Sequence, residues 1–207
     1  RKQIQNDTLN SSIVYNNLEL ARSHWERVRD EVSPELAAIA KTLDDEQVVT
    51  LFAALEKDNK EEEEERQEAL EKSEAQRLKD RIERIQETIR ERIGDLSKEQ
   101  KQIVSTYAQQ FISTGDAWIT YRRNIQNAAR KLFVSRKQNE RFEQELVVLM
   151  QNPDNYKSDV YKQSSAHNMT VTATLLAEIF STLSEKQRQT LIENVDELIE
   201  TVDNFMD

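Results

Sequence analysis

Leu78-Lys79-Asp80-Arg81-Ile82-Glu83-Arg84-Ile85-Gln86-Glu87-Thr88-Ile89-Arg90-Glu91-Arg92-Ile93 is the stretch that decides the fold class. Its apolar residues fall at 78, 82, 85, 89 and 93, stepping by four and three. At about 100° per residue that spacing lays one row along a helix, and it would scatter over both faces of a strand. Every residue between them is Lys, Asp, Arg, Glu, Gln or Thr, so the opposite side is solvated. Gly94 follows, where a left-handed C-terminal cap is expected.

The rest of the chain agrees. Among 207 residues there are two glycines, at 94 and 115, and two prolines, at 34 and 153. These leave few points where a helix must stop, and too few turns for a sheet protein. Ala, Leu, Glu, Lys, Gln and Arg dominate, the residues that lose least on becoming helical. The expected fold is all-α, about eight helices in an irregular bundle or layered array, forming a single helical domain over 1–207.

Residues 2–31 read as the first helix, with Ile13, Leu18, Trp25, Val28 and Val32 as an imperfect apolar stripe. Ser33-Pro34 is expected to end it and to start a short helix through Leu36, Ala37, Ile39 and Ala40. One long charged helix or helix pair covers 45–93. Its beginning is amphipathic (Val48, Leu51, Phe52, Leu55), but Glu56–Glu68 is almost wholly charged and includes five consecutive glutamates at 61–65. Such a stretch has no face to bury, so 56–75 is expected to project or bend, with a turn near Ser73. Further helices are expected over 97–113, 116–136, 138–151, 157–182 and 184–206, the last using Leu191, Val195, Leu198, Val202 and Phe205. Ser113-Thr114-Gly115-Asp116 and Asn152-Pro153-Asp154-Asn155 read as turns. A coiled-coil arm over 56–93 is an alternative, although its heptad row lasts only about two repeats of the three to four usually needed.

The net charge of −10 and a pI near 4.9 disfavour sequence-independent nucleic-acid binding and anionic lipid surfaces. They suit a partner carrying basic segments. There is no cysteine, which excludes disulfides and thiolate chemistry. The chain opens Arg1-Lys2-Gln3, and a processed or truncated piece is expected, any targeting segment lying outside it.

One short pattern occurs three times: Leu43-Asp44-Asp45-Glu46-Gln47, Leu96-Ser97-Lys98-Glu99-Gln100 and Leu183-Ser184-Glu185-Lys186-Gln187. The Ser or Asp side chain accepts from the N–H three residues on, and the Gln reaches back to the cap's own N–H. The Leu packs under the preceding helix end. Each copy is thus a tight helix-to-helix corner; alternatively its Leu and Gln face a shared binding surface.

The corner pattern resembles the Leu-Thr-x-x-Gln motif of the Spy and CpxP type of periplasmic chaperones and stress sensors. A broader likeness runs through Leu36–Ala40, Leu43–Val48, Leu51–Glu56 with Asn59, the second corner, Trp118 with Arg122-Arg123, and Leu183–Arg188. These resemble, in order, a bacterial envelope lipoprotein family of unknown function. The resemblance implies a signal peptide, a lipidated cysteine preceding Arg1, and a helical body facing the periplasm. It implies no catalytic residue.

No constellation for chemistry stands out. His24 and His167 have no companions at metal or triad spacing. Glu61–Glu65 point around the whole helix circumference and cannot converge on one ion. No phosphate loop or nucleophile elbow is present, so no enzyme, metal or cofactor is expected. Asn6, Asn10 and Asn168 begin glycosylation sequons read as chance. Trp118, Tyr121, Arg122 and Arg123 are the candidate partner-binding cluster, since an aromatic with a flanking arginine often anchors a protein contact; core packing with arginine at its edge is the alternative. The expected role is a non-enzymatic binding or scaffold protein of the cell envelope, or a chaperone-like protein holding unfolded clients, with partner and oligomeric state open.

Overall fold

The computed structural model describes residues 8–206, with side chains as far as Thr201. The sequon at Asn6, the start of the first expected helix, and the side chains of Val202 and Phe205 therefore lie outside the described residues. Among the described residues eight α-helices follow one another: α1 (Ser11–Thr42), α2 (Asp45–Glu71), α3 (Glu74–Ile93), α4 (Lys98–Ala108), α5 (Gly115–Ser135), α6 (Phe142–Gln151), α7 (Asp159–Ser181) and α8 (Glu185–Met206), with a 3-10 turn at Pro153–Tyr156. The fold is all-α, and no strand occurs among the described residues.

Ser33-Pro34 does not end the first helix; α1 runs straight through Pro34. Proline has no N–H for the carbonyl four residues earlier, which here belongs to Asp30. The Gln151 side-chain amide donates to that carbonyl at 3.1 Å and restores the missing partner. Ser33 is buried, and its hydroxyl donates to the Arg29 carbonyl at 2.6 Å. α4 is shorter than expected, ending at Ala108 instead of 113. Its end is sealed by Arg81, whose guanidinium donates to the carbonyls of Ala108 and Phe111 at 3.0 and 2.9 Å.

The described helices gather into two compact units. Unit one takes residues up to Leu18, Lys72–Ile112 and those from His167. Its core joins Ile89 and Ile93 of α3, Val104 of α4, and Leu175 and Ile179 of α7, with Leu96 and Leu183 against them. The apolar row of α3, Ile82, Ile85, Ile89 and Ile93, is thus the spine of this core. Gly94 ends α3 at φ 82°, the left-handed backbone that glycine adopts without strain.

Unit two takes Glu19–Glu71 and Ser113–Ala166. Ala37, Phe52, Phe133, Phe142 and Leu146 form its core, with Leu43 and Val48 against them. Phe133 meets Phe52 and Phe142 edge to face, with ring centroids 5.5 and 5.2 Å apart. That T-shaped arrangement is the one aromatic quadrupoles favour.

Of the two expectations for 56–75, projection or a bend, the chain shows a bend near Ser73, and the charged run of α2 over Glu56–Arg66 does not project. It lies along α5 through polar pairs, Asn59 being buried against Gln126 with the two side-chain amides joined at 2.5 and 3.3 Å. The helix breaks at Lys72-Ser73, and the Ser73 hydroxyl caps α3 by accepting from the Gln76 N–H.

Candidate functional site

All three corners form the reciprocal capping box. The Gln47, Gln100 and Gln187 Oε1 atoms accept from the N–H of Asp44, Ser97 and Ser184 at 2.9, 2.9 and 3.0 Å. In return, Asp44, Ser97 and Ser184 accept from the three glutamine N–H groups at 2.8, 3.1 and 3.3 Å. Each leucine packs into a core.

The second and third copies go further and lock together. Gln100 Nε2 donates to Gln187 Oε1, and Gln187 Nε2 to Gln100 Oε1, both at 3.0 Å. The second N–H of each amide goes to the chain before the opposite leucine: Gln100 to the Thr182 carbonyl at 3.2 Å, Gln187 to the Asp95 carbonyl at 2.8 Å. Both donors and both acceptor sites of each amide are thereby used, as buried amides require. Sequence spacing alone held no signal for this pairing. The first copy has no sister corner; beside it Arg136 donates to the Leu43 carbonyl at 3.3 Å and pairs with Asp45. Hydrogen bonds from Lys137 and then Arg136 hold the Asp45 carboxyl below the usual range.

Trp118, Tyr121, Arg122 and Arg123 do come together on α5; Trp118, Arg122 and Arg123 face α2, and Tyr121 packs towards Tyr161. Trp118 Nε1 donates to Glu62 at 3.1 Å, and Arg122 pairs with the same carboxylate while standing 5.9 Å from the Trp118 ring centre. Arg123 donates to Glu63 at 2.8 Å and pairs with Glu56. Arg66 grips Asp116 with two bonds of 2.8 and 2.7 Å. The hydrogen bonds from Arg123 and Arg66 hold the Glu56 and Asp116 carboxyls below their ordinary range. Tyr121 lies between Trp118 and Tyr161 at 5.5 and 5.9 Å, with Lys157 against both tyrosines. Burial, and then Asp154, push both tyrosine hydroxyls up. The two arginines are thus engaged inside the molecule, while Trp118 keeps a partly open face.

A row of exposed apolar side chains lies elsewhere. On α1, Trp25, Val28, Val32, Leu36 and Ile39 are 72, 50, 41, 50 and 60% exposed. At about 100° per residue they share an arc of about 80°. Ala37 and Ser33, buried, lie on another side of the same helix. Part of this row was legible as an apolar stripe, but helical spacing does not say whether a stripe meets the core or solvent.

The histidines, Asn10 and Asn168 have structural or surface positions. His167 Nε2 lies 2.9 Å from the Gln110 carbonyl, and Asn168 clamps the Ile112 N–H and carbonyl at 2.9 and 2.8 Å. Asn10 caps α1 by accepting from the Ile13 N–H at 2.9 Å. His24 is exposed. Among the described residues, no group of three His, Asp or Glu side chains is placed to hold a metal, and no helix is long and apolar enough to cross a membrane.

The profile of a family described as of unknown function, DUF6279, matches residues 1–162. No curated protein and no solved structure matches the chain.

Proposed function

Because the chain belongs to DUF6279, a family of unknown function, we propose from its own surface that it is a non-enzymatic helical binding or scaffold protein of the bacterial cell envelope. The observation that carries this is the α1 row from Trp25 to Ile39, five large apolar side chains left exposed on one face. Scattered exposed apolar residues are ordinary, whereas a contiguous row marks an interaction surface. Among the described residues the carboxyls with displaced titration are Asp45, Glu56, Asp80, Asp116 and Asp154. All are held low by cationic or amide partners, and a general acid needs the opposite. The envelope location rests on the lipoprotein resemblance, with anchoring through a lipid outside this chain.

A photo-crosslinking side chain at Val32 of the full-length protein, expressed in its host, tests the reading. A discrete protein adduct in the envelope fraction is expected; no adduct there, with the protein present, sinks it. A holding chaperone is the second reading, favoured by the openness of the same row to an extended client. It requires near-stoichiometric suppression of a denatured client's aggregation, lost in Val32→Asp.

A further inference from the structure

We propose that the α1 row receives one amphipathic helix of a partner protein, its apolar side edged by lysine or arginine; this rests on the protein-binding reading above. From Trp25 to Ile39 the row spans fourteen steps of 1.5 Å, about 21 Å, the length of roughly four helical turns. Helix-on-groove recognition uses anchors at this i, i+3, i+4, i+7 spacing.

The edges of the row give the sign of the partner. Glu31 and Glu35 flank it on one side, both exposed and in no ion pair among the described residues. On the other side lie Arg22 and Arg29. Arg22 is neutralised by Glu26 and Asp154 at 3.0 Å each, and Arg29 by Asp30 at 2.7 Å. Glu31 and Glu35 outnumber the exposed Arg27 one turn before Glu31, so the charge left open along the strip is net negative, on a chain of net charge −10. An edge of this kind attracts basic side chains and speeds their encounter.

A second copy fits less well. Antiparallel pairing of two α1 helices about Val32 sets Glu31 near Glu35, and parallel pairing sets that edge against Arg22 and Arg29, which Glu26, Asp154 and Asp30 already engage. An anionic lipid surface meets the same repulsion.

The test uses the intact protein and three probes: a fluorescent amphipathic peptide of about eighteen Leu and Lys residues, its Leu and Glu counterpart, and phosphatidylglycerol vesicles. The Lys peptide is expected to bind saturably by anisotropy, and Val32→Asp to weaken it at least ten-fold. Val32 is exposed, so the substitution leaves the core intact. Glu31→Lys with Glu35→Lys is expected to move the preference to the Glu peptide, while Glu99→Lys, off the row, leaves it unchanged.

Equal binding of both peptides, or an equal effect of Glu99→Lys, overturns the basic-helix assignment and leaves the binding reading standing. Binding of vesicles but of neither peptide overturns it in favour of a membrane. Val32-dependent self-association does so in favour of a second copy. If no probe binds and the Val32 crosslinker captures nothing, both readings fall together.

Discussion

Gln100 and Gln187 hold each other by two reciprocal amide hydrogen bonds of 3.0 Å, each side chain also capping its own helix and donating to the chain that enters the opposite corner. Removing either amide orphans a buried donor and acceptor on the other. Gln187→Leu is expected to cost about 2–4 kcal/mol, from a lost cap and an unsatisfied buried amide. Gln47→Leu, at the exposed corner, loses only the cap and should cost about 1 kcal/mol. Urea unfolding of both variants decides this, and equal losses would refute the special status of the pair.

Pro34 leaves a gap in the hydrogen bonding of α1, and Gln151 fills it. Pro34→Ala restores the N–H and is expected to stabilise the chain by about 1 kcal/mol, after the entropy lost from the unfolded state is deducted. Gln151→Ala should destabilise the natural chain and do much less beside Pro34→Ala. A drop in melting temperature with Pro34→Ala contradicts this account.

Arg66 keeps Asp116 ionised below its ordinary range. A carboxyl lowered in the folded state adds stability above its unfolded pKa of about 4, and that stability is lost as pH falls through the folded value. Arg66→Gln should therefore cost a few tenths to about 1 kcal/mol at pH 7, a discount set by the exposure of Asp116. The difference from the natural chain should shrink below about pH 4 and close near pH 2. A difference independent of pH would rule out the pairing as its cause.

Tyr107 donates to Glu178 at 2.5 Å, and this bond, with burial, pushes its hydroxyl up to about 12. The stability it contributes is complete below about pH 10, the unfolded value, and is lost as pH rises toward 12. Tyr107→Phe should cost about 1–2 kcal/mol at neutral pH, measured by denaturant unfolding. Ultraviolet titration should find one late tyrosinate missing in the variant.

The helices were legible wherever the information is local. The row from Leu78 to Ile93 announces its helix through spacing, and Ile89 and Ile93 are indeed buried. The corners declare themselves because Ser97 and Gln100 need only each other to form the box. Pro34 misled because its remedy, Gln151, lies in another helix. The glutamates at 56, 62 and 63 were half legible: with no apolar face they read as projecting or bent, and the bend near Ser73 is there, but Arg122 and Arg123 supply a surface that spacing could not show. Trp25 and Val32 mark a third limit, since an amphipathic pattern shows that a helix has two sides and not which one the core takes. Gln100 and Gln187 meet across a fold that their common motif could not disclose.

The interleaving of the two units also sets an order of assembly. A ribosome has supplied every segment of unit two once Ala166 is joined, whereas the core of unit one still lacks Leu175 and Ile179. From Ile93 to Leu175 is 175 − 93 = 82 residues, about 4–16 s of translation at about 5–20 residues per second. For that interval the isoleucines of α3 have Val104 of α4 beside them but not Leu175 and Ile179 of α7, so unit one is the unit whose core is completed last.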